Sequence, residues 1–106
     1  MKKESKFQKD LINEIKERFP GSMVVKNDCH YIQGIPDLTV FYKKHWATLE
    51  CKQHKDATHR PNQDVYVNKM NEMSFSAFIS PENKGEILDA MERSFKPRRS
   101  TRTSKS

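Results

Sequence analysis

"GIPDLTVFYKKHWATLECK", residues 34–52, holds two strand-like runs on either side of a polar "KKH". Val, Thr, Phe, Tyr, Trp and Leu dominate both runs, and these residues suit a pleated, half-buried surface. The pattern predicts a β-hairpin with strands over 37–42 and 46–52. Side chains alternate across a strand, so Asp37, Thr39 and Phe41 share one face, Leu38, Val40 and Tyr42 the other, and Trp46, Thr48, Glu50 and Lys52 line up in the second run. An even loop, either Lys43-Lys44 or Tyr42 to His45, sets Asp37 directly opposite Glu50. The Cβ atoms of opposed residues lie about 4.5–5.5 Å apart, and like charges at that range repel.

A divalent cation relieves that repulsion. Two carboxylates, a main-chain carbonyl and several waters form a hard oxygen site suited to Mg²⁺ or Mn²⁺, which a substrate phosphate often completes. Lys52, two residues beyond Glu50 on the same face, would stand beside it. Phosphodiester hydrolysis asks for this set: a metal that acidifies water and holds phosphate, and a cation that orients the water and offsets developing charge. The competing reading is an exposed surface rung of Asp, Glu and Lys worth under about 1 kcal/mol.

Working outward, Phe7, Leu11, Ile15 and Phe19 recur every fourth residue, which predicts an amphipathic helix from about Glu4 to Phe19, stopped by Pro20-Gly21. A short strand follows over 23–26. Beyond the hairpin, "THRPNQ" marks a helix start, with Thr58 or Arg60 as cap and Pro61 in the first turn. Tyr66, Met70 and Met73 give that helix its apolar side. "FSAFIS" at 75–80 reads as a fourth strand, and Ile87, Leu88, Met91 and Phe95 mark a last helix. The expected fold is α/β: a single domain in the order α-β-β-β-α-β-α, with a mixed central sheet flanked by helices.

At 106 residues the chain has room for one core. No apolar run approaches the roughly 20 residues of a membrane span, and the charged N-terminus does not resemble a signal peptide, so a cytoplasmic protein without membrane contact is expected. Cys29 and Cys51 read as reduced thiols, and no His and Cys spacing suggests zinc. The glycines form no phosphate loop. The net charge is +6, and Lys96, Arg98, Arg99, Arg102 and Lys105 supply most of it from a tail over 96–106 that carries no acid. Such a tail cannot offset its ordering entropy by burial. It either keeps the protein soluble or lies along a polyanion, and nucleic acid is the favoured partner. Lys43, Lys44, His54, Lys55 and Arg60 are further candidates for phosphate contacts.

"GIPDLTVF" followed by "WATLECK" resembles the catalytic core of the PD-(D/E)XK nuclease superfamily, with Pro36-Asp37 as the PD element and Glu50-Cys51-Lys52 as E-X-K. The element order, the G-x-PD start and the "RPNQ" helix opening resemble its small VRR-NUC-like branch, which includes stand-alone phage and bacterial enzymes with Holliday-junction-resolvase relatives. The likeness covers roughly residues 4 to 95. It implies a restriction-endonuclease-like domain in which Asp37, Glu50 and the main-chain carbonyl of Cys51 bind Mg²⁺ or Mn²⁺. Lys52 would position water and Gln63 would support the site. The first helix of such enzymes often adds an acid, and Glu4 falls near the middle of the inward stripe while Glu14 falls at its edge. The implied substrate is branched or structured DNA, and two sites on two strands are open to a homodimer. The alternative function is a non-catalytic basic nucleic-acid-binding module.

Overall fold

The computed structural model describes residues 5–96. Helix α1 spans Lys6–Arg18, capped where Ser5 Oγ accepts from the Gln8 N–H at 3.0 Å. Strands β1 (Met23–Lys26), β2 (Leu38–Tyr42) and β3 (His45–Cys51) follow, then α2 (Pro61–Met73), β4 (Phe75–Ile79) and α3 (Lys84–Phe95). The order is the expected one. In the four-stranded sheet, β1, β2, β3 and β4 lie side by side. The first two pairings are antiparallel and β3–β4 is parallel, so α2 is the crossover that a parallel pair needs. No helix among the described residues is long and apolar enough to cross a membrane.

The hairpin register pairs Leu38 with Leu49, Val40 with Ala47 and Tyr42 with His45, leaving Lys43-Lys44 as a two-residue turn. Lys43 takes φ 57°, the positive value such tight turns require at their first central position. Continued one step beyond Leu38–Leu49, at the end away from the turn, the register sets Asp37 opposite Glu50.

The two faces of the sheet differ in chemistry. Leu38, Val40, Ala47 and Leu49 are fully buried against Leu11 and Ile15 of α1 and Leu88 and Met91 of α3. Each fully buried Leu or Ile contributes about 1.5–3 kcal/mol, so this face holds the domain together. Helix α2 covers the β3–β4 half of the other face. Along that seam Gln63 bonds Glu50, Met70 Sδ lies 3.3 Å from Thr48 Oγ1, and the Ser74 hydroxyl donates to the Trp46 carbonyl. The inward stripe therefore steps through Gln63, Val67, Met70 and Ser74. Val67 is its one buried residue, and Met73, expected to face inward, is 65% exposed. The helix runs past a largely polar row on β3, which an apolar stripe would not match.

Candidate active site

A groove of about 1360 Å³ opens at the end of the sheet where β2 begins and β3 finishes. Asp37, Glu50, Cys51, Lys52 and Gln63 line it together with the start of α1, the β1–β2 connection and the start of α2. The hairpin register is what brings Asp37 and Glu50 there as neighbours.

Each of these side chains is held. Asp37 Oδ2 accepts from the Cys51 N–H at 3.0 Å, so the carboxylate ties the start of β2 to the end of β3. Asn27 fixes the same segment from the other side: its N–H donates to the Asp37 carbonyl at 2.8 Å, and its Nδ2 donates to the Pro36 carbonyl at 2.9 Å and to Thr39 Oγ1 at 2.8 Å. Glu50 is 4% exposed and accepts at Oε2 from Gln63 Nε2 at 2.7 Å. Gln63 Oε1 accepts from Lys52 Nζ at 2.7 Å and from the Arg60 N–H at 2.9 Å. One amide therefore caps α2 and bridges the carboxylate to the lysine. Lys52 Nζ also donates to the Thr58 carbonyl at 3.1 Å, which fixes the ammonium at two points.

The Cys51 thiol lies on the core side, as the strand period requires. Burial pushes its pKa up to about 12; the Asp37 and Glu50 charges add to the rise, and a hydrogen bond with Gln8 opposes it. A thiol held neutral in this way is no nucleophile at ordinary pH.

The donor set decides which ion the groove suits. Among the described residues, no group of three or more His, Cys, Asp and Glu side chains is placed to hold a metal. The candidates are two carboxylates and the Cys51 carbonyl, all hard oxygens. Such a set fits Mg²⁺ or Mn²⁺, which retain several waters, and does not fit a zinc cage.

The structure separates the remaining candidates. Arg60 lines the groove. His54 and Lys55 are drawn toward the β4–α3 connection, with His54 Nδ1 3.6 Å from Glu82 and the Lys55 N–H donating to Glu82 Oε1 at 3.1 Å. Lys43 and Lys44, the other candidates for phosphate contacts, stand in the hairpin turn at the other end of β2 and β3, roughly 20 Å from the groove at the rise of a β-strand. The strand length between motif and turn carries them off. Glu14 pairs with Lys84 at 2.7 Å, away from the groove. Glu4 and Arg98, Arg99 and Arg102 lie outside the described residues.

Sequence reasoning missed three supports. Asn27, Gln8 and the Thr58 carbonyl act through contacts that cross between elements, and no motif announces them. Gly34 is a fourth case. It has φ +89°, and a Cβ built there would stand 2.4 Å from Asn62 Cβ and 2.8 Å from the Asn62 carbonyl carbon. The β1–β2 connection thus docks directly on the first turn of α2, beside Gln63. Gly34→Ala is expected to lower the stability of the fold by about 1–3 kcal/mol through backbone strain and this clash. Urea unfolding checks it, with an unchanged midpoint as the contrary result. Comparison of the chain with protein-family models, with curated proteins and with solved structures gives no match.

Proposed function

We propose that the protein is a metal-dependent endonuclease of the PD-(D/E)XK type, hydrolysing phosphodiester bonds of DNA. The observation that carries this reading is the bonded row in the groove: Asp37 on the Cys51 N–H, and Glu50 joined through Gln63 to Lys52. A structural surface rung needs neither a carboxylate that is 4% exposed nor an amide locked between it and a lysine. Asp37, Glu50 and the Cys51 carbonyl are the groups that would hold Mg²⁺ or Mn²⁺. When bound, the ion supplies Lewis acidity toward phosphate and water.

The chain's own residues do the rest. Lys52, fixed by Gln63 and the Thr58 carbonyl, presents its remaining N–H to an attacking water and offsets negative charge on the phosphate as it develops. Gln63 keeps Glu50 and Lys52 at a set separation. Arg60, at the lip of the groove, offers a phosphate contact. Branched or structured DNA as substrate and a homodimer as the working unit are carried by the sequence resemblance.

The test is nicking of supercoiled, linear and four-way-junction DNA with Mg²⁺, Mn²⁺ or chelator. Metal-dependent cutting is expected from the wild type, with a loss of about 10²-fold or more in Asp37→Ala and Lys52→Ala. If both variants cut as well as wild type, the assignment fails and a non-catalytic nucleic-acid-binding module is the reading that remains.

A further inference from the structure

Between β3 and α2 the chain runs from Lys52 to Arg60 without regular secondary structure, and its last three residues work in two directions. Thr58 and Arg60 are exposed, line the groove and lend it main-chain groups: the Thr58 carbonyl accepts from Lys52 Nζ at 3.1 Å, and the Arg60 N–H donates to Gln63 Oε1 at 2.9 Å. His59 lies between them in the chain, yet its side chain is only 29% exposed. Its ring stacks face to face on Phe78 of β4, with centroids 3.8 Å apart and an interplanar angle of 14°. A carboxylate only accepts, so His59 Nδ1 donates to Asp64 Oδ1, 2.9 Å away in the first turn of α2.

The place of these two anchors gives the contact its meaning. Phe78 pairs with Glu50 in the parallel β3–β4 register, and Lys52 Nζ stands 6.0 Å from the centroid of its ring. Asp64 follows Gln63 directly. His59 is therefore pinned to the strand beside Glu50 and to the helix turn that carries Gln63. A connection of this kind has no sheet or helix ladder to keep it in place, and such segments open at low cost unless side chains tie them down. The Thr58 carbonyl can hold an ammonium only as firmly as the loop itself is held. A histidine that merely decorated the loop would be exposed like its two neighbours and would need neither ring nor carboxylate.

We propose that His59 is a positioning residue for Lys52: clamped between Phe78 and Asp64, it holds residues 58–60 so that the Thr58 carbonyl and the Arg60 N–H stay on Lys52 and Gln63. The catalytic consequence rests on the nuclease reading, whereas the hold on the ammonium does not. His59 makes no contact with substrate in this role. It acts through the lysine.

Proton–nitrogen NMR of the full chain with isotope-labelled lysine reads the exchange of the Lys52 ammonium with water, its signal identified by loss in Lys52→Met. His59→Ala is expected to speed that exchange about 10-fold or more. Asp64→Ala, which removes the acceptor and leaves the ring on Phe78, is expected to speed it about 3-fold and decides the matter should melting curves show His59→Ala unfolded. In cleavage, His59→Ala is expected to lower kcat about 10-fold with KM and the Mg²⁺ melting shift unchanged, and to cost nothing further in the Lys52→Met background. A loop histidine of purely structural value would give additive losses in that cycle. Additivity would overturn the proposal, as would unchanged exchange in folded His59→Ala or a Lys52 signal too fast to observe in the wild type. Should the wild type cut no DNA, the nuclease reading fails and the exchange measurement still decides whether His59 holds the lysine.

Discussion

Glu50→Gln is expected to lower metal-dependent cleavage by about 10²-fold or more and to remove the rise in melting temperature that Mg²⁺ confers on the wild type. The substitution keeps shape and volume. Its amide oxygen can still accept from Gln63 Nε2, now at 2.7 Å from Glu50 Oε2, so the link to Lys52 and the start of α2 should survive. What disappears is one of the two carboxylate charges, Asp37 and Glu50, proposed to hold the ion. An ion that binds only the folded chain stabilises it by about 1.4 kcal/mol at ten times its dissociation constant. For a domain of this size that corresponds to roughly 5–10 °C in melting temperature. The wild type should show that shift with Mg²⁺ and none with Na⁺ at matched ionic strength, and Glu50→Gln should show neither. A full Mg²⁺ shift in Glu50→Gln would remove this residue from the proposed ligand set, whatever the cleavage assay gives.

How much of this was legible in the sequence follows from the range of the interactions concerned. The hairpin was legible because strand alternation and an even polar loop leave few registers, and a one-residue slip would have turned Leu38, Val40 and Leu49 to solvent. The juxtaposition of Asp37 and Glu50 followed from that register. The core stripes of α1 and α3 were legible for a similar reason: the face they cover is largely apolar. Helix α2 was harder. The spacing of Tyr66, Met70 and Met73 predicts an apolar stripe, while the helix packs on Glu50, Thr48 and Trp46 through polar contacts and only Val67 is buried. Gln63 belongs to that polar row, and the sequence could assign it only a general supporting role.

Other features are set by the three-dimensional arrangement alone. The distance of Lys43 and Lys44 from the groove is set by the length of β2 and β3, which composition does not weigh when it groups cations as one patch. The clamp of Asn27 on Pro36 and Asp37, and the seat of Gly34 on Asn62, join residues from different elements, where local pattern carries no signal. The exposed sheet residues Met23 and Phe41, opposed on β1 and β2, belong with them: strand alternation predicts that they share a face, and only the position of α2 shows that this face is left open there.

Lys52→Met is expected to cost about 10²–10³-fold in cleavage while leaving the Mg²⁺ melting shift intact, and this pairing of outcomes separates the lysine from the ligands. Methionine retains most of the aliphatic stem and removes the ammonium that donates to Gln63 Oε1 at 2.7 Å and to the Thr58 carbonyl at 3.1 Å. Gln63 keeps its bonds to the Arg60 N–H and to Glu50, so the carboxylates should stay in place. Removing a cation from beside two carboxylates raises the local negative charge, and Mg²⁺ affinity should hold or increase. A lysine that orients water and meets charge at the phosphate acts on the chemical step, so the loss should fall on kcat with little change in KM. Lys52→Arg should not restore the rate, because a planar guanidinium cannot make the same two bonds and also direct one N–H at a water. If Lys52→Met loses the Mg²⁺ shift along with cleavage, the lysine's role is to hold the site together. If Lys52→Arg cuts at the wild-type rate, any cation suffices there and the positioning argument falls.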